Sequence, residues 1–266
     1  MRLMHKPKVC LFCGRGAPEV KISGEHVLRA KLQEHFPKQD TTTLLHRYQS
    51  DEGVKYRSLR IPQGPFTSVV NEVCKPCNEG WLNLELEIPV EPVLVSLIHG
   101  KALRLEVNDL RLLSLWAAKT ASIRALMVPG PRSIPPEHYR QMMDLREPPE
   151  GTHVWMANSV RDWSAFTRHA RIALPAGDGT CSIHLSTIIL GGLSFFVAGF
   201  HPSWSAELFD EMFLRLDSNA LKIWPFPVSS DWPTGELTFE QALNLSNMVP
   251  PRGYLISPGS VEMFDL

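Results

Sequence analysis

The chain has 266 residues, 44% of them hydrophobic and 21% charged. That composition excludes a disordered or collagen-like chain and allows one large domain or two small ones. The formal charge of −1 excludes a uniformly basic nucleic-acid coat, but the charge is split: residues 1–75 hold 13 Lys/Arg against 7 Asp/Glu, a net of +6, and the remaining 191 carry a net of −7. The N-terminus has no apolar signal region. The longest uncharged apolar stretch, residues 188–200, is broken by Gly191-Gly192 and is too short to span a bilayer. A cytoplasmic location with no membrane partner is the expectation.

In chain order, residues 8–13 read as a short strand entering a turn at Cys10-Leu11-Phe12-Cys13-Gly14-Arg15-Gly16, where the glycines supply the positive φ of a tight knuckle. Residues 36–65 are polar and contain Pro37, Pro62 and Pro65; they read as an insertion with one or two short strands, one over 55–61. Val69-Val70 leads to a second knuckle, Cys74-Lys75-Pro76-Cys77. Residues 78–87 look helical, and Ile88-Pro89 is expected to end that helix. A short helix is expected over 92–99, and a strong one over 108–127, capped by Asn108. Leu110, Leu113, Trp116, Ala117, Thr120 and Ile123 recur along it at helical spacing. Strands are expected over 152–157, 163–174, 182–190 and 193–200, the last two forming a hairpin at Gly191-Gly192. Residues 203–216 read as a helix, 221–224 as a strand and 238–247 as a short helix. The fold class is therefore α+β, with a cysteine-bearing N-terminal module over 1–88 and a mixed helix and antiparallel-sheet domain over 89–266.

Four of the five cysteines form two Cys-x2-Cys pairs, Cys10/Cys13 and Cys74/Cys77, separated by 60 residues. Two knuckles of this kind match a tetrahedral Zn²⁺ site. A redox dithiol would need a strand entering a helix of a βαβ unit, which both pairs lack. With four sulfur ligands the zinc is structural. Cys181 stands apart as a small hydrophobe expected to be buried.

Between the knuckles lies Ser23-Gly24-Glu25-His26-Val27-Leu28, and Asn78 follows the second at once. Cys-x-x-Cys, then Glu-His-Val, then Cys-x-x-Cys-Asn, in this order, resembles the HNH endonuclease superfamily of ββα-metal nucleases, and within it the branch stapled by a four-cysteine zinc. The resemblance covers residues 8–88, about a third of the chain. It implies that His26 is the general base toward the attacking water. It implies that Glu25 binds a catalytic divalent cation and that Asn78, at the helix start, supplies a further oxygen. Cys10, Cys13, Cys74 and Cys77 match the zinc ligands. The histidine that many members carry on this helix is absent. Glu85, seven residues past Asn78 and so two α-helical turns along one face, is the candidate in its place. The proline found two residues after His-Val in many members is also absent.

The implied activity is metal-dependent hydrolysis of phosphodiester bonds in nucleic acid, DNA foremost, with Mg²⁺ or Mn²⁺ as cofactor. It fits bacterial or phage-borne nucleases, some of which act in defence or mobile elements. An all-oxygen sphere suits a hard cation, and a neutral histidine suits proton abstraction from water. Arg15, Lys21, Arg29, Lys31, Lys38, Arg47, Lys55, Arg57 and Arg60 are candidates for a phosphate-binding face. The competing reading is a non-catalytic zinc-knuckle module that binds nucleic acid or protein. Residues 89–266 are open to three roles: positioning nucleic acid, binding a partner protein, or forming a homo-oligomer. His153, His169, His184 and His201 show no metal spacing and are read as structural.

Overall fold

The computed structural model describes residues 8–38, 42–50, 53–61, 63–128, 132–159, 164–176, 179–199, 216–225, 227–238, 241–242 and 261–263. The fold is α+β. An N-terminal two-stranded sheet pairs β1 (Ile22–His26) antiparallel with β4 (Val69–Cys74). Between them in sequence come a 3₁₀ turn at Ala30–His35 and the strands β2 (Thr42–Ser50) and β3 (Gly53–Ile61), which form a hairpin. After β4 the chain turns directly into α1 (Lys75–Cys77), a π-helical stretch over Asn78–Glu87, and α2 (Ile88–Ile98).

The expectation that Ile88-Pro89 stops the helix does not hold, because the chain stays helical to Ile98. Pro89 falls in the first turn of α2, where bonding changes from i→i+5 to i→i+4 and a missing N–H is tolerated. The stretch over Asn78–Glu87 also departs from a regular helix, with non-helical backbone at Gly80.

A short β5 (Leu103–Leu105) precedes α3 (Val107–Ala125), and α4 (Pro136–Leu145) follows. Asn108 is not the cap of α3. The helix begins one residue earlier, and the Asp109 carboxylate accepts the Glu106 backbone N–H. The large sheet then forms from β6 (Thr152–Ser159), β7 (Ala165–Ala176), β8 (Gly179–Leu190) and β9 (Leu193–Gly199), close to the expected strands. β8 and β9 form the hairpin at Gly191-Gly192, where Gly191 has φ +58°.

The later strands are β10 (Leu221–Trp224), β11 (Ser230–Trp232), β12 (Glu236–Leu237) and β13 (Val261–Met263). The main order is β10-β6-β9-β8-β7-β13-β2-β3, with β12 parallel to β6. The β2–β3 hairpin of the N-terminal segment thus joins the sheet of the C-terminal segment through β13. The expected helix over 203–216 lies almost wholly outside the described residues, as does most of that over 238–247; the side chain of Cys181 lies outside them too. Among the described residues, no helix is long and apolar enough to cross a membrane.

Helix α3 is the axle of the molecule. Leu110 through Ala125 is buried almost without interruption, Trp116 included, and the Trp116 ring meets Phe195 of β9 at 5.6 Å between centroids. One hydrophobic cluster runs from Cys10 in the first knuckle to Trp232 in β11. Phe12, between the first two cysteines, packs edge-on against Trp81 (5.0 Å) and Tyr139 of α4 (5.6 Å). The knuckle is thereby seated on both halves of the chain.

The same core encloses two histidines. Burial pulls His184 down to about 3 and His169 well below its ordinary range. Unfolded, both titrate near 6.5. Below pH 6.5 the unfolded chain binds protons that the folded chain refuses, so this contribution to stability is complete above pH 6.5 and is lost as pH falls toward 3. The expected loss is about 1.4 kcal/mol per pH unit for each histidine. Urea midpoints measured between pH 7 and pH 5 should fall steeply; a flat profile would show that the rings are accessible to protons.

Candidate metal centre and carboxylate–histidine site

The four cysteines converge. Cys10, Cys13, Cys74 and Cys77 carry free thiols, and their sulfurs all lie within 4.8 Å of one another. Cys13 Sγ and Cys74 Sγ are 3.6 Å apart. A tetrahedron with metal–sulfur lengths of about 2.3 Å has edges of about 3.8 Å, so the set is close enough to bind one metal ion as four sulfur ligands.

Local backbone chemistry builds each knuckle. In the first, Gly14 N–H donates to Cys10 C=O and Cys10 N–H donates to Arg15 C=O, both at 2.8 Å. Gly14 has φ +71°, and a Cβ at Gly16 would stand 2.7 Å from the Lys8 carbonyl oxygen, so both positions require glycine. In the second, β4 ends on Cys74, and Lys75 N–H is held by Lys21 C=O at 2.8 Å. Leu11 N–H donates to Glu72 C=O, tying the knuckles together. The crowded thiols divide their protons. The hydrogen bond from Cys77 holds the Cys10 thiol down to about 4, whereas burial lifts Cys74 to about 11. The exposed Arg15 guanidinium, bonded to Cys13, is held above its ordinary value.

A second cluster lies at the end of β1. The β1–β4 register slips between Ser23 and Glu25: Gly24 alone stands opposite Asn71 and Glu72, so the extra residue is a bulge in β4 facing Gly24. Asn78, the first residue after the second knuckle, reaches Gly24. Its Nδ2 donates to Gly24 C=O at 2.7 Å and to Ser23 Oγ at 3.3 Å. The metal knuckle is thereby linked to the residue just before Glu25-His26.

Beyond Gly24, Glu25 is buried and His26 is half-buried. Glu25 Oε1 accepts from Lys119 Nζ at 3.2 Å, and the same ammonium bonds Glu87 Oε1 at 2.5 Å. Burial raises the Glu25 carboxyl, against the pull of Lys119. Burial drags Lys119 down, but the charges of Glu87 and Glu25 more than reverse this and leave it raised. Burial lowers His26, with Glu87 opposing and Lys119 assisting. Arg29 adds an ion pair to Glu87 at 3.6 Å and a contact to Glu91, and Lys31 reaches Glu91 at 2.6 Å.

Of the residues expected at the site, Asn78 bonds Ser23 and Gly24, just before Glu25 and His26 at the end of β1, and Glu25 bonds Lys119. Glu85 goes elsewhere. It is exposed, pairs with Arg146 at 2.8 Å, and lines a groove with Cys13, Arg15, Cys77 and Trp81. Glu87, not Glu85, shares the Lys119 ammonium with Glu25. The i→i+5 bonding of this stretch and the Gly80 kink change which residues share a face from what α-helical turns give. Lys119, a lone cation inside the apolar run 112–123 on the helix it shares with Trp116 and Arg124, belongs to this cluster as well. Of the basic residues, Arg29 and Lys31 are engaged by carboxylates; Arg47, Lys55, Arg57 and Arg60 lie on β2 and β3.

Lys119→Met should leave two buried carboxylates facing each other without a counterion, a loss of about 3–5 kcal/mol. Adding Glu25→Gln and Glu87→Gln should recover most of it. Urea unfolding of the single and triple variants measures both, and equal stability of Lys119→Met and wild type would remove the ion triad from the fold's support.

Compared with family profiles, with curated proteins and with solved structures, the chain matches none.

Proposed function

We propose that this protein is a metal-dependent HNH-type endonuclease that hydrolyses phosphodiester bonds in nucleic acid, DNA in the first instance, with Zn²⁺ held by the four cysteines. The observation that carries the reading is the Asn78 Nδ2–Gly24 C=O bond at 2.7 Å, which couples the four-cysteine unit to the end of β1 that carries Glu25 and His26. A two-stranded antiparallel sheet running through a cysteine knuckle into a helix is the ββα arrangement that such chemistry uses.

His26 is the general base. It is half-buried, and burial keeps its imidazole neutral at physiological pH. Glu25 and Glu87 converge on the Lys119 ammonium and are the residues that would hold Mg²⁺ or Mn²⁺ in its place. The cation would neutralise charge on the phosphate and its leaving oxygen. Lys119 holds the two carboxylates poised. Residues 89–266 supply Lys119 and would position nucleic acid, a partner protein or a second copy.

One observation favours the second reading, a non-catalytic nucleic-acid- or protein-binding module. Lys119 already bridges Glu25 and Glu87, and the charges of Glu25, Glu87 and Glu91 are balanced by Lys119, Arg29 and Lys31. A nicking assay on supercoiled plasmid, single-stranded DNA and RNA with Mg²⁺, Mn²⁺ or Ni²⁺ separates the two. Cleavage abolished by EDTA and by His26→Ala supports the nuclease; a folded, zinc-loaded protein inert on all three substrates supports the binding module.

A further inference from the structure

The two knuckles, the π-helical stretch and the end of α4 enclose an open groove of about 690 Å³. That volume lies within the range of roughly 300–1,000 Å³ typical of small-ligand sites. Its walls include Arg15 from the first knuckle, Trp81 and Glu85 from the π-helical stretch, and Met143, Asp144 and Arg146 from the end of α4. Strand β1 contributes none of the lining residues, so the groove is separate from the Glu25–His26 cluster.

Arg146 is unusual in this groove. It caps α4 with φ 57° and ψ 34°, and among the described residues it is the only non-glycine residue with positive φ. Helices that end this way ordinarily carry glycine there. Here the position carries a guanidinium, and its Cζ stands over the Trp81 ring, 4.9 Å from the centroid. Arg146 Nε also donates to Glu85 Oε2 at 2.8 Å. The guanidinium is thus held at two points, yet 38% of the side chain stays exposed. Trp81 beneath it is itself buried and fixed edge-on against Phe12, and its Nε1 has no partner. Arg15 is exposed, but its backbone is pinned: its C=O accepts from Cys10 N–H at 2.8 Å, between the two positions that require glycine.

A guanidinium fixed on an aromatic ring is a flat platform, and nucleobases stack on arginine planes as they do on aromatic rings. Such a platform is ready-made, because little side-chain freedom is left to lose on binding. A second guanidinium in the same groove supplies charge-assisted bonds to a phosphate. We infer that this groove binds one unstacked nucleotide, its base on Arg146 and its phosphate on Arg15. Asp144, exposed beside Arg146, is an acceptor for a base N–H, and Met143 is an apolar wall. The groove is not a basic channel, since Glu85 is spent on Arg146 and Asp144 offsets part of the remaining charge. It therefore suits one phosphate and one base, not a long run of backbone. A duplex, whose bases are already stacked and paired, has no such nucleotide to offer without an unstacking cost. The inference goes beyond the nuclease reading and needs no cleavage.

The test uses the full zinc-loaded chain, with no added Mg²⁺ or Mn²⁺, and a short fluorescein-labelled oligonucleotide followed by anisotropy. The expected result is saturable binding of the single strand, with the same strand annealed to its complement bound tenfold or more weaker. The slope of log K against log salt should be about −0.7 to −1.4, the share of one or two phosphates. Arg146→Gly suits the left-handed cap, so it keeps the helix end while removing the platform; affinity should fall tenfold or more. Arg146→Lys keeps the charge without the plane and should lose as much. Arg15→Ala should flatten the salt slope by about 0.7. Competition with adenosine 5′-monophosphate names the source of the nucleotide. Displacement at an affinity like that of the strand assigns the site to free nucleotides; displacement tenfold or more weaker assigns it to single-stranded nucleic acid. Three outcomes overturn the inference: no saturable binding of strand or mononucleotide, duplex bound as tightly as single strand, or wild-type affinity in an Arg146→Gly protein of unchanged Tm. Plasmid cleavage alongside any of these three would leave the nuclease reading standing without this site.

Discussion

Cys74→Ser is expected to lose the metal and, with it, the N-terminal unit. Cys74 ends β4, begins α1, and lies 3.6 Å from Cys13 through its sulfur. A metal held by these cysteines would join the strand, the helix and the first knuckle at a single point. Structural Zn²⁺ in small modules contributes on the order of 10 kcal/mol or more of apparent folding free energy. Phe12 sits within the first knuckle and packs on Trp81 and Tyr139, so its release would also open the contact with α4. Elemental analysis should give one zinc per wild-type chain and none in the variant. Proteolysis of the variant should start in the N-terminal 80 residues. A Cys74→Ser protein with wild-type zinc content and melting would remove zinc from the account.

On the proposed nuclease reading, His26→Ala is the second large expected effect, on rate and not on fold. His26 is half-buried and has no part in the cysteine cluster, so its loss should leave zinc content and melting almost unchanged. Removing a general base costs 100-fold or more in rate. The pH profile provides a second readout. A base acts only when neutral, and burial sets the His26 imidazole below its ordinary 6.5. The loss of cleavage on acidification should therefore be centred below pH 6.5. A decline centred above 6.5, or full activity in His26→Ala, would assign the proton transfer to another group.

The two halves of the candidate site differ in how readable they were. The cysteine pairs, the Glu-His pair and Asn78 are local patterns whose chemistry follows from residue type and short spacing. Glu87 was hidden because a change from α to π bonding alters which residues share a helix face, and only Gly80 hints at the change. Lys119 was visible as an oddity in an apolar helix, but its partners Glu25 and Glu87 lie 94 and 32 positions away. The buried pair His169 and His184 was less legible still. His169 and His184 sit on neighbouring strands and look unrelated until the β7–β8 register brings their rings together.

By itself, then, the sequence determined the α+β class, the long helix, the sheet strands and the pairing of four thiols for one metal. Each of these depends on periodicity or on residues a few positions apart, where chain geometry leaves little choice. Only the tertiary structure decided that one helix would place Lys119 against Glu25 and Glu87, and that His169 and His184 would stack within the sheet. Those contacts arise from burying α3 on all sides. Hydrophobic burial is non-directional, so the packing of the whole core, not any local pattern, selects which polar groups are enclosed together and which partners they meet.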